Sequence, residues 1–141
     1  MTELKFILEY GECNGYMSVQ CYANDVLIAE PMIKDATNHA IVNALVNFPF
    51  DLVIKISGKN PNTDTIVQDE KIVKDKYVKL KQIFLSRYPV NDSVLYNLCQ
   101  FTPADSNISK SETFFYCNGQ AMISFHSTDA LHWHLSHDKY Q

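Results

Sequence analysis

The chain has 141 residues, 46% of them hydrophobic, and 16 acidic against 12 basic side chains leave a formal net charge of -4. That length supports one domain, residues 1–141, whose core buries roughly two-thirds of the unfolded surface, and no charge block or low-complexity tract favours disorder. The negative balance and a single arginine, Arg87, argue against nucleic acid as a partner, because bidentate contacts to phosphate or guanine have almost no donors.

The N-terminal Met-Thr-Glu-Leu-Lys lacks the charged-then-apolar layout of a signal peptide, which points to cytoplasmic synthesis. No apolar run approaches the ~20 residues of a membrane span. Cys13, Cys21, Cys99 and Cys117 contain no C-x-x-C pair and are expected as reduced thiols in or near the core.

Period-two alternation dominates from the start. Leu4, Phe6, Leu8 and Tyr10 share one face. After a turn at Gly11–Gly15, Met17, Val19, Cys21 and Ala23 share another. Asn24-Asp25 suits a tight hairpin turn with Val26–Ala29 as the returning strand, and Pro31 closes it. Ala40–Asn47 carries a four-residue repeat that a helix capped by Asp35 or Thr37 would use. Its β-branched content favours a strand. Leu52, Ile54 and Ile56 define the next strand.

Ser57–Leu85 is the most informative stretch. It opens with turn chemistry, Ser57-Gly58-Lys59-Asn60-Pro61-Asn62-Thr63-Asp64, and leads into an alternating strand from Tyr77. The apolar face passes from Val78 and Leu80 to Ile83 and Leu85, a slip that predicts a β-bulge near Lys81-Gln82. Val94–Phe101 reads as a strand, Thr102–Ser111 as a polar loop, and Phe114–Cys117, Asn118-Gly119 and Gln120–Phe125 as an Asn-Gly hairpin. Leu131-His132-Trp133-His134-Leu135 also alternates. Together these segments predict an all-β, antiparallel β-sandwich of jelly-roll type, with roughly nine to eleven short strands.

Within the Asn60–Asp75 loop, Asn60, Asn62 and Asp64 fall at alternate positions with Asp69 and Asp75 following, a set of hard oxygens of the kind calcium takes. An EF-hand is excluded, since Thr65 stands where its glycine belongs and Lys71 where its bidentate glutamate belongs. The run over residues 57–85, with Asn62-Thr63-Asp64-Thr65 and Lys74-Asp75-Lys76, resembles small calcium-dependent carbohydrate-binding β-sandwiches of the xylan-binding type. The family's turn glycine is replaced here by Glu70-Lys71. The resemblance implies a β-sandwich, calcium as the candidate cofactor and glycan as a candidate ligand.

A second candidate site is His132 and His134, with His137 or His126 as a third ligand. On a strand, His132 and His134 project from one face about 7 Å apart, a spacing suited to one metal ion. The expected alternative is that they face solvent while Leu131, Trp133 and Leu135 pack inward. No nucleophile elbow, Cys-His pair or phosphate loop is present, which argues against an enzyme. Among Tyr10, Tyr16, Tyr22, Tyr88, Tyr96, Tyr116 and Tyr140 are candidates for sugar stacking or interface contacts.

The function expected first is a structural or assembly module, such as a virion- or tail-associated sandwich subunit contacting other protein subunits. A calcium-assisted carbohydrate-binding module is second, and a small metal-binding protein built on the histidines is third.

Overall fold

The computed structural model describes residues 1–33 and 37–138. Thirteen strands and two helices lie in the described residues. In chain order they are β1 (Thr2–Gly11), β2 (Ser18–Ala23), β3 (Val26–Ala29), β4 (His39–Val46), β5 (Phe50–Ser57), β6 (Thr65–Gln68), β7 (Lys71–Asp75), β8 (Tyr77–Leu85), β9 (Tyr88–Pro89), α1 (Asp92–Leu98), β10 (Gln100–Pro103), β11 (Lys110–Ser111), β12 (Phe114–Phe115), β13 (Gly119–Phe125) and α2 (Ala130–Asp138).

The strands form an antiparallel β-sandwich. One sheet runs β12-β8-β1-β4 with β9 also on β8, and the other runs β11-β10-β13-β5-β2-β3. Alternation decides which side chains meet between them. Leu4, Phe6, Leu8 and Tyr10 of β1 join Val78, Leu80, Ile83 and Leu85 of β8 in one buried cluster with Leu52, Ile54 and Ile56 of β5 and Ala121, Ile123 and Phe125 of β13. Each large apolar side chain buried this way contributes about 1.5–3 kcal/mol. The expected bulge is present, because Ile7 faces Gln82 while Leu8 faces Leu80, so Lys81 is the extra residue that restores the inward face. The segment 40–47 is strand, as its β-branched content favours. Of the two helix caps weighed for it, Asp35 lies outside the described residues.

Gly is scarce, so several tight turns force other residues into the left-handed region. Asn24-Asp25, Asp69-Glu70 and Ser86-Arg87 each have positive φ at both positions, the signature of a type I′ hairpin turn. Asn24 is braced further by its side-chain amide on Pro49 O and by the Asp51 N–H on its own Oδ1.

Three sequence expectations are corrected. Val94–Phe101 is not a strand: Asn91 accepts hydrogen bonds from the N–H groups of Ser93 and Val94 and caps α1, and only Gln100–Pro103 pairs as β10. Leu131–Leu135 is not a strand either. The N–H groups of His132 and Trp133 donate to Asp129 Oδ1 and Asp129 O, which starts α2. Helical spacing keeps Trp133 buried as expected but also buries His134 and leaves Leu131 and Leu135, expected inward, exposed.

The third correction is at Asn118-Gly119, which makes no hairpin. β12 pairs with β8 in the first sheet and β13 with β5 and β10 in the second, so this dipeptide lies on a crossover between sheets. Its glycine is required for close approach. A Cβ at Gly119 would collide with the Thr102 carbonyl oxygen and lie 2.9 Å from Pro103 Cα.

Candidate functional site

The polar stretch after β5 is not one loop. Residues 58–64 are a compact turn, and residues 65–75 are the β6–β7 hairpin, joined by the Asp69-Glu70 turn. The β-branched pairs Ile66-Val67 and Ile72-Val73 favour strand here, and the short paired hairpin leaves them exposed.

The turn is built around Asp64. Asn60 starts it, its carbonyl accepting from the N–H groups of Thr63 and Asp64 and its side chain from Asn62 N–H. The Asp64 carboxylate, buried, accepts from Asn60 N–H (2.8 Å), Asn14 Nδ2 (3.1 Å) and Thr63 Oγ1 (3.1 Å), and pairs with Lys76 Nζ at 3.1 Å. The Asn60 N–H foremost, then the Asn14 amide and Lys76, hold this carboxyl well below the usual range, against the opposing effect of desolvation. Lys76 Nζ also donates to Gly58 O (3.1 Å).

A second ion pair closes the base of the hairpin. Lys59 Nζ donates to Asp75 Oδ1 and to Tyr116 O, both at 2.6 Å, and Thr65 Oγ1 donates to the same Asp75 oxygen at 2.7 Å. The Asn118 side-chain amide clasps the Lys59 backbone in both directions, accepting from its N–H and donating to its carbonyl, each at 2.9 Å. The turn is thus tied to the crossover strand segment by side chains at residues 59, 75 and 118.

Beside this network lies a groove of about 600 Å³ whose walls include Thr65, Ile72, Asp105, Phe114, Tyr116 and Asn118, with Lys59 and Asp75 at its side. Tyr116 is 38% exposed. Lys110 Nζ donates to its hydroxyl at 2.8 Å and lies 5.0 Å from its ring centroid, and this bond holds the ammonium above the ordinary lysine range. Phe101 packs behind the ring at 6.4 Å. A somewhat larger depression, about 690 Å³, crosses the outer face of the first sheet between Lys5, Asn43, Leu45 and Phe84. Its Phe84 ring carries the Lys5 ammonium at 5.2 Å, much as the Tyr116 ring carries that of Lys110.

The oxygens proposed for calcium do not converge. Asp69 sits at the hairpin tip, roughly 13 Å of strand from Thr65. Asn60 Oδ1 is engaged by Asn62 N–H, and Asp64 and Asp75 belong to separate lysine pairs. Among the described residues no group of three or more His, Cys, Asp or Glu side chains is arranged to hold a metal ion. Asn60, Asp64, Asp69 and Asp75 therefore do not gather around one calcium ion.

The histidines are likewise separated. His132 is exposed and bonded to Asp129, His134 is buried with Nε2 at 3.2 Å from Leu85 O, and His137 stacks on Trp133 at 4.1 Å. A helix turns two-apart positions to different faces, so the strand spacing that suggested a shared metal does not exist here.

No protein-family model matches the sequence, and no curated protein does. Solved structures do. The carbohydrate-binding module vCBM60, described as linking by circular permutation two families of calcium-dependent carbohydrate-binding modules, aligns with a TM-score of 0.57 at 11% identity, over 88% of this chain and 91% of its own. The same module in complex with galactobiose aligns with a TM-score of 0.55 at 12% identity, over 88% of this chain and 97% of its own. The chain shares the fold of these modules. At such identity the likeness concerns the fold, and it agrees with the resemblance read in residues 57–85.

Sequence reasoning found Asp64, Asp75 and Tyr116 but missed Lys59, Lys76, Asn118 and Asp105. The signal for the lysines was their position, one at each end of an acidic turn. Nothing local marks Asn118, because its partner is 59 residues away. Tyr140 lies outside the described residues.

Proposed function

We propose that this protein is a non-catalytic carbohydrate-binding module that takes a short glycan in the groove beside Tyr116. The observation that carries the reading is an exposed tyrosine ring flanked by an amide, a hydroxyl and a carboxylate, on a fold shared with a galactobiose-binding module. A sugar ring presents an apolar C–H face and a rim of hydroxyls. An aromatic platform takes the face, and Asp105 takes the rim together with the hydrogen-bonding capacity that Thr65 and Asn118 retain beside their bonds to Asp75 and Lys59.

The same groove is poorly equipped for hydrolysis. A glycosidase needs two carboxyl groups at a defined separation, one of them as acid. Asp75 is committed to Lys59 and Thr65, which leaves Asp105 as the exposed carboxylate at the groove. Neither structural neighbour is described as an assembly component, and the carbohydrate-binding reading therefore ranks above the virion subunit expected first.

The test is calorimetric titration with galactobiose and with longer galactose oligosaccharides. Tyr116→Ala is expected to weaken binding about tenfold, the equivalent of roughly 1.4 kcal/mol. Tyr88→Ala, which removes an exposed ring on β9 away from the groove, is expected to leave it unchanged. Equal binding by wild type and Tyr116→Ala would reject the site.

A further inference from the structure

We propose that this module binds without calcium, because two of its own lysine ammonium groups, Lys59 and Lys76, already occupy the carboxylates of Asp75 and Asp64 on which a divalent cation in this turn would depend. The part concerning ligand rests on the carbohydrate-binding reading. The part concerning the metal stands on the geometry alone.

Calcium takes six to eight oxygens at about 2.3–2.6 Å, mostly from carboxylates and backbone carbonyls. In this chain the carboxylate oxygens of the turn are instead filled by N–H and O–H donors. Asp64 Oδ2 receives Asn60 N–H and lies against Lys76 Nζ, while Oδ1 receives Asn14 Nδ2 and Thr63 Oγ1. A carboxylate has about four lone-pair positions, and all four have a donor. Asp75 Oδ1 receives Lys59 Nζ and Thr65 Oγ1.

The nearby main-chain carbonyls are engaged in the same way, Gly58 O by Lys76 and Tyr116 O by Lys59. Each ammonium therefore bridges a carboxylate and a main-chain carbonyl, Lys76 within the 58–64 turn and Lys59 between β7 and Tyr116, which is what a structural cation does.

Charge leads to the same conclusion. The two lysine side chains are each 7% exposed, and they face two carboxylates, so the cluster is already neutral. A divalent ion entering it would meet two buried like charges and would have to break the bonds that shape the turn. The ammonium groups also do the positioning. Lys59 pins residue 59 to the end of β7 and to the backbone at Tyr116, and Lys76 pins Gly58 to Asp64. The groove wall is preformed by covalent chain chemistry that chelation cannot remove.

The experiment uses the whole chain after exhaustive treatment with EDTA. Calcium chloride is titrated into it by calorimetry, and melting curves are recorded in excess chelator and in excess calcium. No binding heat and a melting shift below about 1 °C are expected, whereas a saturable heat or a rise of several degrees overturns the proposal by binding linkage. Galactobiose is then titrated in both conditions, and affinities equal within about twofold are expected. Binding seen only with calcium overturns the proposal. Absence of saccharide binding in both conditions removes the carbohydrate reading, and the calcium titration alone then decides metal independence.

Discussion

Replacing Lys59 by Met removes the ammonium and keeps most of the stem. In the folded protein this deletes two short bonds, to Asp75 Oδ1 and Tyr116 O, and leaves Asp75, whose side chain is 18% exposed, with only the Thr65 hydroxyl. Breaking a buried ion pair by removing one partner costs about 3–5 kcal/mol. The partial exposure of Asp75 and its retained hydroxyl bond reduce that to roughly 2–3 kcal/mol. For a chain of this length that is a fall in Tm of about 6–9 °C.

The assay is urea unfolding followed by fluorescence of Trp133, the single tryptophan and a buried one, so its emission reports the loss of the core. The m-value should be unchanged, since the surface exposed on unfolding is the same. Asp75→Asn in the same background should cost far less than in wild type, giving a coupling of about 1–3 kcal/mol. A loss under about 0.5 kcal/mol, as for an exposed surface pair, or strict additivity of the two changes would refute the argument that Lys59 is a structural cation.

Other outcomes follow from named residues. Asp64 titrates below the ordinary carboxylate range when folded and near 3.9 when unfolded, so its contribution is full above that pH and is lost as pH falls through the folded value. Asp64→Asn should lower stability at neutral pH and flatten the decline below about pH 4 in urea melts at stepped pH. The Cys21 and Cys99 thiols are pushed up to about 12 by burial, and Cys13 is buried as well. A thiol reagent should therefore modify half-buried Cys117 first, with the other three reacting only on unfolding, and rapid reaction of all four in native buffer would contradict the packing. Glu70→Gly and Arg87→Gly relieve left-handed backbone at φ 64 and 73 and should each raise stability by about 0.5–1 kcal/mol, additively, in thermal melts.

Much of the sandwich was legible because alternation is a direct consequence of strand geometry. β1, β5 and β8 lie where apolar residues recur at every second position, β4 follows from its β-branched content, and even the bulge at Lys81 was written in the slip from Leu80 to Ile83. The helices were misread for a common reason: short helices carry too few turns to declare a period, and their evidence lay in the caps, Asn91 and Asp129. Asn118-Gly119 misled because it has the composition of a hairpin turn, while its glycine serves close contact with Thr102 and its asparagine serves the Lys59 backbone.

The candidate site was half legible. Its acidic residues stood out in one stretch, and searching them for metal ligands passed over the lysines that neutralise them. The groove itself is assembled from residues 59–75 and 104–118, so no window of sequence contains it. The histidines show the converse error, in which an alternating string was given strand geometry and so acquired a shared face that a helix does not provide.

The most direct test of the central claim is to titrate isotope-labelled protein with galactobiose in excess EDTA and follow the amide resonances. Binding at the proposed groove predicts progressive shifts concentrated at Thr65, Asp105, Tyr116 and Asn118, unchanged when calcium is added. Shifts confined to the outer face of β1, β4 and β8, or none until calcium is supplied, would contradict it.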